Sequence, residues 1–170
     1  TLDDVRYSNW EIGSGGLLAA GQTQGINLGL SNHGASISAL TLTLSSPSQN
    51  CTIIDSLFVL DNFLTQSSLE LENIFSFEID ANARHGDVVD FLLSADSGTE
   101  SWNWQHSFPV QAPHLMISSL DFLGSELLAG DSIAFGLTIE NQGGLACPPL
   151  SLTFLDNALV WNGGLSLNCP

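Results

Sequence analysis

Apolar and polar residues alternate with period two along much of the chain, and the 3.6-residue period of a helix is nearly absent. Ile26, Leu28 and Leu30 alternate with Gly25, Asn27, Gly29 and Ser31, and Leu40, Leu42 and Leu44 alternate with Thr41 and Thr43. Phe75, Phe77 and Ile79 alternate with Ser76, Glu78 and Asp80, and Val89, Phe91 and Leu93 with Val88, Asp90 and Leu92. The cleanest run sets Trp102, Trp104, His106, Phe108 and Val110 on one side and Ser101, Asn103, Gln105 and Ser107 on the other. Successive side chains of a strand point to opposite faces, so each run predicts a strand with one dry face and one wet face. Turn formers separate the runs at Asn32-His33-Gly34, Ser45 to Ser48, Asn82 to Gly86 and Asp96-Ser97-Gly98. Strand starts about 10 to 16 residues apart are the spacing of an antiparallel sandwich. In residues 61–73, Leu64, Leu69 and Leu71 fit alternation better than a helical stripe, so a strand and a loop are expected there. Gly13 to Gly16 is expected to lack structure, and Gln111-Ala112-Pro113 to be a short linker.

An internal repeat organises these strands. Leu17-Leu18-Ala19-Ala20-Gly21, followed by Ile26, Leu28, Leu30, Asn32 and Gly34, returns as Leu127-Leu128-Ala129-Gly130, followed by Phe135, Leu137, Ile139, Asn141 and Gly143. Gly21 and Gly130 are 109 positions apart, and after a one-residue insertion Leu40, Leu42 and Leu44 match Leu150, Leu152 and Phe154 at an offset of 110. That offset is the length of one immunoglobulin-like sandwich. The expected fold is all-β, an immunoglobulin-like antiparallel β-sandwich with one complete module at 1–112 and a partial second module at 113–170. After Phe154 only 16 residues remain, with short apolar runs at 159–161 and 165–167. Half a sandwich exposes an edge and an apolar face. Three arrangements are therefore expected: a longer natural chain, a reduced second copy packed on the first, or strands supplied by a neighbour.

Composition narrows the partners. Eighteen acidic residues face two basic ones, Arg6 and Arg84, with no lysine, for a net charge of −16. Such a chain lacks the cationic patch on which nucleic-acid and anionic-membrane affinity rest. Charged residues are only 12% and hydrophobic ones 44%, so the chain folds, and its wet surface consists mostly of Ser, Thr, Asn, Gln and Gly. No stretch has the roughly 20 apolar residues of a membrane-spanning helix. Without a basic and apolar leader, Thr1 reads as the start of a mature product or of an excised piece.

Candidate chemistry is sparse. No GxSxG, HExxH or GxxxxGK[ST] motif occurs, and His33, His85 and His114 fall in predicted turns or the linker, so no enzyme is expected. His106, on the tryptophan-bearing face, is expected to be a half-buried structural residue. The cysteines Cys51, Cys147 and Cys169 read either as small buried hydrophobes or as a Cys147–Cys169 disulfide that leaves Cys51 unpaired. Trp102 and Trp104 lie in phase with core residues, whereas Trp10 and Trp161 are the candidates for exposed aromatic contact, for example with sugars. Asp3, Asp4, Asp55, Asp61 and Asp96 are hard oxygen donors suited to calcium, but no DxDxDG loop is present, and a solvated acidic surface is the preferred reading. No cofactor and no metal site is assigned. Asn50-Cys51-Thr52 has the form of a glycosylation acceptor.

Several segments occur together in an order that carries a resemblance: Asp3-Asp4, Gly21, Ile26 to Gly34, Leu40 to Ser46, Thr52-Ile53-Ile54-Asp55-Ser56, Phe75 to Ile79, Gly86 to Leu92, and Trp104 to Phe108. The chain resembles the Ig-like, CARDB-like accessory repeats of large secreted bacterial surface proteins, the kind found beside gingipain-like peptidases and type IX secretion signals. The resemblance spans nearly all of 1–112 and recurs in the first half of the module in 113–170. It implies a non-enzymatic extracellular or cell-surface module, a spacer, adhesion or assembly segment, whose partners are other domains of the same protein or neighbouring copies. A filament subunit assembling by strand complementation, a carbohydrate-binding module and an accessory fragment of a peptidase are the alternatives. With two basic residues, the chain is also expected to survive Arg/Lys-specific peptidases.

Overall fold

The computed structural model describes residues 4–13, 15–123 and 134–150. It divides into two compact units, Thr1–Gln111 and Ala112–Pro170. Among the described residues there is no helix, and hence none long and apolar enough to cross a membrane.

The described residues of the first unit form a β-sandwich of nine strands: β1 (Val5–Ile12), β2 (Leu18–Ala19), β3 (Thr23–Asn32), β4 (Ile37–Ser45), β5 (Cys51–Asp55), β6 (Leu57–Phe63), β7 (Ser67–Ile79), β8 (Val88–Asp96) and β9 (Ser101–Gln111). One sheet has the order β1-β3-β7-β5 and the other β2-β9-β8-β4-β6. All pairs are antiparallel except β2 with β9, which run parallel through Leu18↔Val110 and Ala19↔Gln111, so the expected antiparallel sandwich carries one short parallel pair. The chain changes sheets between β1 and β2 and again between β5 and β6. After β1, Gly13, Gly15 and Gly16 form turns, where no structure is expected. Gly13 N–H donates to Gly25 O at 2.9 Å and Gly16 N–H to Ile12 O at 3.1 Å, while Gly15 and Gly16 take φ of 125° and 71°, values that favour glycine. Residues 51–63 make the crossing from β5 to β6. β5 pairs with β7 in one sheet and β6 with β4 in the other, with Ser56 between them.

The alternating residues fill the interior. Ile26, Leu28, Leu30, Leu40, Leu42, Leu44, Phe75, Phe77, Ile79, Val89, Phe91 and Leu93 are all buried. Each side chain of this size contributes roughly 1.5–3 kcal/mol by leaving water. Segment 61–73 holds the end of β6, a turn and the start of β7, as alternation predicts. Within β7 the pairing passes from Ile26↔Phe75 to Leu28↔Leu71, so three residues oppose Asn27 and the inward phase is kept across the bulge. Asn73 sits there at φ 50°, its N–H bonded to Asn27 Oδ1 at 3.0 Å and its carboxamide oxygen against Gly25 and Gly13. A Cβ on Gly25 collides with that oxygen. Gly25→Ala is therefore expected to lose about 1–3 kcal/mol, as overpacked sites do. A shift in the urea midpoint of the first unit reads this out.

In β1 a one-residue bulge at Ser8 carries the pairing from Tyr7↔Leu30 to Asn9↔Gly29. The extra residue switches parity, so that Val5, Trp10 and Ile12 are all buried. Trp10, expected to be exposed, is only 6% accessible for this reason.

The described part of the second unit is a hairpin of β10 (Leu115–Leu123) and β11 (Ala134–Asn141). It repeats β1 and β3 in detail. Val5↔Asn32 becomes Leu115↔Asn141, and the bulge at Ser8 returns at Ser118, between Ile117 and Ser119. Asn32 Oδ1 accepts Gly34 N–H at 2.9 Å, and Asn141 Oδ1 accepts Gly143 N–H at 3.1 Å. His33 N–H donates to Asp4 O at 2.8 Å, and Gln142 N–H to His114 O at 2.7 Å. Leu127 to Gly130, Leu152, Phe154 and the runs at 159–161 and 165–167 lie outside the described residues.

Candidate functional site

β2 covers β9 only at Val110 and Gln111, which leaves residues 101–109 as a sheet edge among the described residues. This edge meets the edge strand of the opposite sheet through aromatic pairs. Tyr7 packs edge-on to Trp104 with centroids 5.8 Å apart, and Trp10 stacks on His106 at 5.6 Å and 22°. His106 also lies 4.7 Å from Phe108, and Trp10 lies 6.5 Å from Phe91 in the core. The layer closes the open side of the sandwich. Aromatic pairs of this geometry each add about 0.5–1.5 kcal/mol beyond area burial.

The arrangement decides the fate of the aromatic candidates. Trp102 and Trp104 are half-buried on the inner side of β9 and pack against the core cluster. Trp10 offers no face to a sugar ring because His106 already occupies it. Its indole Nε1 is buried without a hydrogen-bond partner, the one such side-chain atom found among the described residues. Trp161 lies outside the described residues.

A hydroxyl, an imidazole and a carboxylate do come together at one end of the β1–β3 pair. Ser31 Oγ lies 3.2 Å from His33 Nε2, and His33 is close enough to contribute to holding the Asp4 carboxyl low. The larger cause of that lowering is the hydrogen bond from Arg6, whose Nε and Nη2 take both Asp4 oxygens at 3.1 and 2.8 Å. The carboxylate is thus spent on the guanidinium and does not orient the imidazole, which a hydrolytic triad requires. His85, His106 and His114 lie elsewhere, in the turn before β8, on β9 and before β10.

The acidic candidates are dispersed. Asp55 accepts from Ser76 Oγ at 2.7 Å, Asp96 accepts from Gly98 N–H at 2.6 Å, and Asp61 stands exposed on β6. Among the described residues no three His, Cys, Asp or Glu side chains gather as a metal site requires, and Asp3 lies outside them. An open cleft of about 350 Å³ is lined by Gln49, Asn50, Thr52, Glu78, Asp80 and Ala81. Asn50 Nδ2 donates to Asp87 Oδ2 at 3.0 Å, so the carboxamide of the formal glycosylation acceptor is already held.

Cys147 is disulfide-bonded and Cys51 is a free thiol, while Cys169 lies outside the described residues. Burial on β5 raises the Cys51 pKa, against the opposing pull of a hydrogen bond with Ser46. The fold thus holds the thiol proton more tightly than the unfolded chain does. Its contribution to stability is present below the ordinary thiol pKa and is lost as pH rises through the raised one. Iodoacetamide at pH 8 is expected to alkylate Cys51 about an order of magnitude more slowly in the folded protein than in urea, because the thiolate is the nucleophile. Equal rates by mass spectrometry contradict this.

Sequence reasoning found the aromatic face of β9 but missed its partner Trp10 and the buried Asn32. The Asn-x-Gly that ends both copies was the available signal for Asn32, since such a side chain caps its own turn. No protein-family model matches the chain, and a comparison with curated proteins finds no match.

Proposed function

We propose that this chain is a non-enzymatic, extracellular structural module, a spacer, adhesion or assembly segment of a larger bacterial surface protein, of the Ig-like, CARDB-like kind that its sequence resembles. The observation that carries this reading is the recurrence of the β1–β3 pair as β10–β11, with the same register, bulge and asparagine turn. Tandem copies of one unit build length, each copy contacting its neighbours, which suits a spacer. The immunoglobulin-like assignment is supported by four strands in the order β1-β3-β7-β5 facing a second sheet in which the short β2 joins the last strand. The extracellular assignment is supported by a wet surface poor in charge and by the disulfide at Cys147.

Antibodies raised against the purified chain are expected to label intact source cells as strongly as permeabilised ones. Labelling that requires permeabilisation overturns the surface reading. Protease resistance is a further expectation. Arg6 is ion-paired within a paired strand, and the turn holding Arg84 is closed by Asp87 N–H to Arg84 O at 3.1 Å and Arg84 N–H to Asp87 Oδ2 at 2.9 Å. Trypsin should leave the folded chain intact on a gel while cutting the urea-unfolded chain, and rapid cleavage of the folded chain at Arg84 counts against the reading.

A further inference from the structure

We draw no further inference here: the strongest candidate, the open polar cleft that runs along β5 and the end of β7 at Thr52, Glu78 and Asp80, carries nothing, because its two carboxylates stand exposed and, among the described residues, neither a third metal-ligating side chain nor a buried unpaired polar group at the cleft marks what it would hold.

Discussion

Phe91→Ala is expected to remove about 3–5 kcal/mol from the unfolding free energy of the first unit. Phe91 is fully buried near the centre of β8 and is the ring on which the two sheets converge. Phe77 of the opposite sheet lies 4.9 Å away, Phe108 lies 6.1 Å away on the neighbouring strand, and Trp10 lies 6.5 Å away. Deleting the ring loses its own transfer free energy and leaves a cavity walled by rigid aromatics, which relax poorly into the space. The local signature should match, because Trp10 loses one of its supports while its indole N–H already lacks a partner. Tryptophan emission is therefore expected to move to the red before global unfolding. Urea unfolding of wild type, Phe91→Leu and Phe91→Ala should give a graded loss, with the leucine variant losing about 1 kcal/mol. A loss below about 1 kcal/mol for the alanine variant means that the sheets close over the gap and that the inter-sheet packing is less determined than these contacts imply.

The same contacts explain which parts of the fold were legible in the sequence. β4, β8 and β9 declare themselves because their register runs without interruption over their apolar positions, and β3 because the bulges in its pairings fall on β1 and β7, so the period of two survives intact in all four. β1 does not, because the bulge at Ser8 turns its inward set into Val5, Tyr7, Trp10 and Ile12, a spacing with no single period. Trp10 was misplaced as exposed for that reason, and its stack with His106 was lost with it. Residues 51–63 hide in another way. Cys51 and Ile53 pack inward from one sheet and Phe58 and Leu60 from the other, so parity flips at the crossing, while Ile54, Leu57 and Val59 stand exposed. Such a segment shows no wet face. β2, with two residues, is too short to show any pattern. The candidate site followed suit: the aromatic half on β9 was readable, the half on β1 was not.

Asn32→Ala is expected to destabilise the first unit by about 3–4 kcal/mol, and Asn141→Ala the second hairpin by less than about 1 kcal/mol, although the two residues hold the same place in the repeat. Asn32 is fully buried, and its Nδ2 donates to the carbonyls of Ala35, Phe63 and Leu64 at 2.7, 3.1 and 3.2 Å while its Oδ1 accepts from Gly34. One side chain thus ties the end of β3 to the β6–β7 turn. Alanine leaves three acceptors and a donor facing one another with no water to replace the carboxamide, and each orphaned group costs about 1–3 kcal/mol. Asn32→Asp should be no milder, because a carboxylate accepts where the carbonyls need a donor. Asn141 makes a similar set of bonds, to Leu145 O at 2.8 Å and from His114 N–H and Gly143 N–H at 3.0 and 3.1 Å, but it is half-exposed. Water can take over those partners once the side chain is removed. Amide exchange resolved by unit separates the two effects in a single set of variants.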